Sequence, residues 1–204
     1  ERINAELSLA SDIQSHMLPC IFPAFPDHDE IDIYATMNTA KEVGGDFYDF
    51  FMTDNTHVAF VMADVSGKGV PAALFMVIAK TLIKNHAQLG IPVNDVFTSV
   101  NKRLCEGNDA DLFVTAWLGI LDLTNGELQF VNAGHNPPLI CQNGEFRYLK
   151  APAGFVLAGI DEFVYKKNVI TMQPGDRVFL YTDGVTEATN LVEELYGEKR
   201  LKDF

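Results

Sequence analysis

The sequence "LFVTAWLGILDLTNGELQFVNAG", residues 112–134, carries the clearest signal for a class of fold. Two runs rich in branched and aromatic residues flank Asn125-Gly126 in this stretch. Such runs around Asn-Gly are a strong signal for a β-hairpin, because the tight turn needs positive φ angles that Asn and Gly adopt readily. Since a hairpin joins antiparallel strands, the stretch predicts an antiparallel sheet rather than a doubly wound parallel fold.

Two later turns repeat this signal. The runs "PPLICQ" and "EFRYLK" flank Asn143-Gly144, and "VYKKNVITM" and "RVFLYTD" flank Pro174-Gly175-Asp176. Before residue 112, strand-like alternation or apolar character marks "IDIYATMN" (31–38), "DFYDFFM" (46–52) and "HVAFVMADV" (57–65). These patterns predict further strands and two more hairpins.

Helical spacing marks two segments in the middle of the chain and one at its start. "GVPAALFMVIAKTLIKNHAQ" (69–88) predicts an amphipathic helix with Leu74, Ile78 and Leu82 on one side. "NDVFTSVNKRLCEG" (94–107) predicts a second helix with one face formed by Val96, Val100 and Leu104, ending at Gly107. Helices between antiparallel strands make the fold class α+β.

The opening segment "ERINAELSLASDIQSHMLP" carries an apolar stripe in a 4-3 rhythm, formed by Ile3, Leu7, Ala10 and Met17. The stripe predicts a helix that Pro19 stops. The helix either pairs with a partner helix as a coiled coil or packs on its own domain, and the sequence favours neither.

Composition and charge exclude several classes of protein. Hydrophobic residues make up 48% of the 204 residues and charged residues 21%, which is typical of an ordinary globular domain. A formal charge of -13 repels nucleic-acid phosphates, so we expect no nucleic-acid partner. The three scattered cysteines match neither a disulfide framework nor a CxxC site. They indicate reduced thiols and a cytoplasmic location.

Three aspartates share a local pattern. Asp46 follows two glycines, Asp64 ends an apolar run, and Asp183 ends "RVFLYTD" before Gly184. One such aspartate is usually a turn former, but a buried carboxylate without a partner costs several kcal/mol. If the strand ends converge, three carboxylates suit Mg²⁺ or Mn²⁺. The isolated histidines disfavour zinc.

Four motifs occur in order: "EVGGDFYDFF", "MADVSGKGVPAALFM", "FVNAGHNPPLI" and "LYTDGVTEATN". Together they resemble the bacterial PPM (PP2C-like) serine/threonine phosphatases of the RsbU/SpoIIE type, from about Asp12 onward. The resemblance implies a sandwich of two antiparallel sheets flanked by helices (α-β-β-α), with two Mn²⁺ or Mg²⁺ ions at one edge. It implies metal binding by Asp46, Asp64, Asp183 and the backbone carbonyl of Val65, with Asp64 as the bridging ligand.

The implied reaction is in-line attack of a metal-activated water on the phosphorus of a phosphoserine or phosphothreonine, without a phospho-enzyme. The sequence agrees, because it contains no GxSxG motif and no cysteine placed with His and Asp. The implied substrate is a phosphorylated STAS-domain anti-anti-sigma factor. The alternative is a non-catalytic PPM-like module that binds its phosphoprotein or a partner domain.

The resemblance also divides the chain. Residues 1–18 are expected to be a linker or switch helix, which connects to an upstream sensor and can form a homodimer; residues 19–204 form the phosphatase domain. The chain would then be cytoplasmic, either by itself or as the cytoplasmic portion of a membrane-anchored sensor. The family supplies a further aspartate from an Asp-Asp-x-Thr motif, which is absent before Phe204. We therefore expect missing C-terminal elements and weak binding of one metal ion.

Three further polar residues lie within the four motifs. His135 can be a general acid, a substrate contact or a structural residue that hydrogen-bonds the backbone near a bend. Asp49 lies three residues beyond Asp46, so strand alternation places it on the opposite face, outside the site. Glu187 is either a neighbour of the metal ligands or a solvent-facing residue.

Overall fold

In the computed structural model, which describes residues 2–39 and 41–203, the strands form two antiparallel sheets. The first sheet has the order β1-β2-β3-β4-β7 and the second β6-β5-β8. This confirms the predicted α+β class with two antiparallel sheets. The strands are β1 (Phe47–Met52), β2 (His57–Val65), β3 (Val114–Asp122), β4 (Glu127–Ala133), β5 (Leu139–Gln142), β6 (Glu145–Tyr148), β7 (Asn168–Thr171) and β8 (Arg177–Phe179).

Helices α2 and α3 cover the outer face of the first sheet and bury its core with it. Within the described ranges no helix has both the length and the apolarity that crossing a membrane requires. The helices are α1 (Arg2–His16), α2 (Val70–Ala87), α3 (Val93–Cys105), α4 (Asp183–Thr186) and α5 (Gly197–Asp203).

The two helices differ in how well the sequence predicted their buried face. The predicted face of α3 is buried, with Val96 and Val100 fully enclosed. On α2, in contrast, Leu74 is 64% exposed and Ile78 51% exposed. The buried side of α2 instead combines alanines with two large apolar residues; it is formed by Ala72, Met76, Ala79, Ile83 and Ala87. Alanines let the helix axis approach the sheet closely, so this side packs there.

A second apolar core fills the space between the two sheets. The rings of Trp117 and Phe130 stack with centroids 5.3 Å apart, and Ile140 reaches them from the second sheet. The neighbours Ala116 and Leu118 instead belong to the helix-covered core. This alternation along β3 puts one face of the first sheet against helices and the other against the second sheet.

Two of the three predicted hairpins form. β3 pairs with β4, and β5 pairs with β6 through Asn143 (φ 53°) and Gly144 (φ 79°). The third prediction is wrong, because β7 pairs with β4 while β8 pairs with β5. The turn at residues 174–176 therefore carries the chain from one sheet to the other.

The strand predicted for residues 31–38 is also wrong. Among the described residues, this segment forms no strand and pairs with none. Its alternation is real, since Ile33, Ala35 and Met37 pack against the core. The alternating pattern reflects burial of one side of the segment, and a segment can be buried on one side without hydrogen-bonding to a neighbouring strand.

Candidate metal centre

The first pair of predicted ligands meets through the β1–β2 register. Asp46 directly precedes β1, and Phe47 pairs with Ala63, which places Asp46 beside Asp64 near the end of β2. The carboxyl group of Asp64 hydrogen-bonds that of Asp46. Two of the three predicted carboxylates are therefore in direct contact.

The third predicted ligand arrives from the second sheet. Asp183 begins α4, a few residues after β8. Its neighbour Thr182 donates a 2.7 Å hydrogen bond from Oγ1 to Oδ2 of Asp46. The charge of Asp183 is close enough to raise the pKa of Asp64. The structure thus brings Asp46, Asp64 and Asp183 to one edge, where the two sheets meet.

This edge is strongly acidic. Burial, followed by the hydrogen bond and charge of Asp46 and then by the charges of Asp183 and Glu187, raises the pKa of Asp64 to about 8. Glu187 faces solvent, and its charge also lies close enough to the predicted ligands to raise the pKa of Asp64. It is therefore both a neighbour of these residues and solvent-facing. Several carboxylates held together repel one another, and in proteins a bound cation commonly neutralises this repulsion.

The donor set fits a hard divalent cation in chemistry. The side chains supply carboxylate oxygens, which Mg²⁺ and Mn²⁺ prefer, and none of them is a thiol or imidazole. Among residues 2–39 and 41–203, however, no three acidic, His or Cys side chains already stand in a metal-binding arrangement. The raised pKa keeps a proton on Asp64, which lessens the repulsion among the carboxyl groups here. Binding an ion requires these carboxyl groups to turn from each other toward it.

The glycine pair before Asp46 has a specific use in packing. The backbone of Gly45 lies against the carbonyl oxygen and the amide of Val65, leaving no room for a side chain. Gly44 is held by Gln14 of α1, which donates from Nε2 to the Gly44 carbonyl (2.7 Å) and accepts from its amide (3.0 Å). The carbonyl of Val65, a predicted ligand, therefore lies next to the residue that precedes Asp46.

His135 is buried and hydrogen-bonded at both ring nitrogens. Nε2 donates to the carbonyl of Tyr181 (3.0 Å), and Nδ1 lies 2.9 Å from Oγ1 of Thr115. Burial lowers the pKa of His135 to about 4, so the ring is neutral at pH 7. These contacts confirm the structural interpretation and leave no free proton for a general acid.

Asp49 lies outside the site, as predicted. It points to α2, where the ammonium of Lys80 lies 2.6 Å from its Oδ2. Sequence reasoning missed Thr182 and Gln14, whose side chains fix Asp46 and Gly44. A hydroxyl directly before Asp183 is visible in the sequence, but its partner lies 136 residues away.

Comparisons with known proteins agree with this architecture. The family model described as "Stage II sporulation protein E (SpoIIE)" matches residues 54–204. Phosphoserine phosphatase RsbU of Bacillus subtilis is 29% identical over 188 residues, covering 92% of this chain and 55% of RsbU. The chain spans between about a quarter and a little over half of the length of the curated relatives it matches.

Two solved structures share the fold. The SiaA-PP2C domain of Pseudomonas aeruginosa superposes with a TM-score of 0.82 at 22% identity, covering 99% of this chain and 80% of that one. RsbX, solved in complex with magnesium, gives a TM-score of 0.61 at 21% identity, covering 74% of this chain and 72% of that one. At these identities the likeness concerns the fold alone.

Proposed function

Because the chain belongs to the SpoIIE family of PP2C-like serine/threonine phosphatase domains, we propose that it hydrolyses phosphoserine or phosphothreonine on a signalling protein. In this proposal two Mn²⁺ or Mg²⁺ ions are held by Asp46, Asp64, Asp183 and the carbonyl of Val65. The observation that carries it is the meeting of the first three at the edge between the sheets.

The electrostatics support a cation at this edge. A carboxyl group whose pKa is about 8 is protonated at neutral pH, and a neighbouring dication returns it to the charged form. The magnesium found in the structure of RsbX, which shares this fold, supports the same type of ion. When bound, the ions supply a water of lowered pKa and offset charge on the attacking and leaving oxygens.

The chain's own residues hold and orient the ligands. Thr182 donates to one oxygen of Asp46, which leaves the other oxygen free to turn toward an ion. Gly45 brings the Val65 carbonyl next to Asp46. Asp46 and the Val65 carbonyl are thus positioned by a hydroxyl and by packed backbone, which is how outer contacts orient metal ligands.

The substrate proposed is a phosphorylated STAS-domain protein of a sigma-factor pathway. RsbU, similar over 92% of this chain, is named a phosphoserine phosphatase, which supports a phosphoserine substrate. An upstream sensor and a homodimer through α1 belong to the same proposal. Exposed apolar side chains on α1, including Ile3 (71%) and Leu9 (60%), support a partner for that helix.

The test is phosphate release by the full-length protein from a phosphoserine STAS protein and from para-nitrophenyl phosphate. We expect turnover with Mn²⁺ or Mg²⁺, none with EDTA, and a loss of more than about 100-fold in Asp64→Asn and Asp183→Asn, since ligands matter more than the contacts that orient them. Asp29→Asn, an exposed change in the connector after α1, is the matched control.

Two results would count against the proposal. Turnover that survives in Asp64→Asn and Asp183→Asn removes these residues from the mechanism. A wild-type protein that binds the cation and the phosphoprotein but releases no phosphate is the non-catalytic module.

A further inference from the structure

The side chain of His135 lies between β3 and the segment that follows β8, close to the candidate metal centre. His135 follows β4 after Gly134 and is 5% exposed. Asn132 fixes it from both sides: its Oδ1 accepts from the His135 amide (2.7 Å), and its Nδ2 donates to the His135 carbonyl (2.9 Å). The backbone that carries the imidazole is therefore held firmly, and the ring direction follows from it.

On one side the ring contacts the first sheet. Nδ1 of His135 lies 2.9 Å from Oγ1 of Thr115. Thr115 is the register partner of Asp64 in the β2–β3 pair. Directly opposed residues on antiparallel strands project to the same face, so Thr115 and Asp64 are side-by-side on the sheet.

On the other side the ring contacts the segment that follows β8. Nε2 donates to the carbonyl of Tyr181, 3.0 Å away. The next residue, Thr182, donates to Asp46, and the one after it is Asp183. Tyr181 is 3% exposed, so solvent cannot readily replace the imidazole as a donor to its carbonyl.

We propose that His135 is a positioning residue. It fixes residues 181–183, which follow β8 of the second sheet, against the Asp46–Asp64 pair of the first sheet. The inference rests on the proposed function, since it concerns the assembly of that metal centre. Hydrogen bonds from Thr115 to the ring, from the ring to Tyr181, and from Thr182 to Asp46 form one connected path. Without the ring, the Thr182–Asp46 bond is the remaining hydrogen bond of this path between the first sheet and the segment after β8.

The test measures Mn²⁺ affinity directly, by titration calorimetry and by the electron paramagnetic resonance signal of free Mn²⁺, and measures activity separately. The full-length protein is compared with His135→Ala, His135→Gln and Thr115→Val. We expect His135→Ala to weaken Mn²⁺ binding by about 10–100-fold, as loss of an outer contact does at other metal sites. His135→Gln keeps a donor for the Tyr181 carbonyl and is expected to recover part of the affinity.

A matched control separates positioning from general stability. Asn101 is another fully buried polar residue with three hydrogen bonds, which join α3 to the backbone at residues 158–161. Asn101→Ala is expected to lower the melting temperature and to leave the Mn²⁺ affinity of the folded protein unchanged. A purely structural His135 would behave in the same way as Asn101.

The outcomes distinguish this inference from the proposed function. If the wild type neither binds Mn²⁺ nor releases phosphate, the function itself fails. If the wild type does both, and folded His135→Ala binds Mn²⁺ as tightly, the positioning role is overturned while the function stands. If His135→Ala does not fold, Thr115→Val decides: weakened Mn²⁺ binding supports the role, and unchanged binding overturns it.

Discussion

A Cβ atom placed on Gly45 would lie 2.7 Å from the carbonyl oxygen of Val65 and 3.0 Å from its Cβ. Both neighbours belong to the buried end of β2, so neither can move aside cheaply. The glycine before Asp46 is therefore required by a close approach of two backbones. It brings the peptide that carries one candidate ligand against the residue that carries another.

Gly45→Ala is expected to destabilise the protein by about 1–3 kcal/mol, because the added methyl overpacks the contact with Val65. Gly44→Ala is the control, since its Cβ would meet no atom closer than Thr39 Cγ2 at 3.4 Å, an ordinary contact. Urea unfolding of both variants without metal measures the difference. Equal stabilities would show that the 45–65 contact gives way without cost.

The raised pKa of Asp64 gives the metal-free protein a specific pH dependence. Asp64 keeps its proton up to about pH 8 when folded but releases it near 3.8 when unfolded. Between these values the folded state binds more protons, so the contribution of Asp64 to stability falls as pH rises. In EDTA, the stability of Asp64→Asn relative to the wild type is therefore expected to increase from pH 5 to pH 8.

Thermal unfolding of both proteins at pH 5 and pH 8 tests this directly. Saturating Mn²⁺ should reverse the ranking at pH 8, because only the wild type gains the full binding energy of the ion. A gap between the two proteins that is the same at both pH values would mean that the Asp46–Asp64 contact does not hold the extra proton.

The buried ion pair between Lys80 and Asp49 ties α2 to β1 beside the site. Asp49 is 3% exposed and the Lys80 side chain 13%. Lys80→Met leaves a buried carboxylate without its partner and is expected to cost roughly 3–5 kcal/mol. The double variant Asp49→Asn/Lys80→Met should regain much of this, because no charge is then left unpaired.

Lys84 provides the control for this pair, one turn further along α2. Its ammonium lies 5.0 Å from the ring centroid of Phe51, so Lys84→Met is expected to cost only about 1 kcal/mol. Chemical unfolding measures all three variants. If Lys80→Met costs no more than Lys84→Met, the ion pair contributes little. Mn²⁺-dependent turnover in the double variant would keep Asp49 outside the site.

Gln14 is the buried residue of α1 and binds both backbone groups of Gly44. Gln14→Ala leaves these groups without their partner and is expected to cost about 1–3 kcal/mol. It should also release α1, seen as faster cleavage by protease within residues 2–16. Ser15→Ala, at an exposed neighbour, should change neither quantity. Unchanged protection in Gln14→Ala would show that the apolar contacts alone hold the helix.

Much of the fold was predictable because it depends on local chemistry. Asn143 and Gly144 adopt the positive φ angles that a tight turn needs, so the pair signals a hairpin locally. The spacing of Val96, Val100 and Leu104 likewise reports the buried face of α3. The position of carboxylates at strand ends was sufficient to identify Asp46, Asp64 and Asp183 as the residues to follow.

Other features failed or were missed because their partners are distant in sequence. The turn at residues 174–176 has the signals of a hairpin, yet β7 pairs with β4 and β8 with β5, and these two partners lie in separate sheets. The buried side of α2 carries Ala72, Met76, Ala79 and Ile83 rather than Leu74 and Ile78, because the position of the sheet selects which side of the helix is covered.

By itself, the sequence indicated the segments of β1–β8, the two main helices and the three aspartates, since local backbone preference and side-chain spacing act over a few residues. Only the tertiary structure decided which side chains surround those aspartates. Thr182 reaches Asp46, His135 reaches Tyr181, and Gln14 reaches Gly44 across 30 to 136 residues. Such contacts depend on how the two sheets and α1 pack, because a hydrogen bond forms only where packing brings donor and acceptor within about 3 Å.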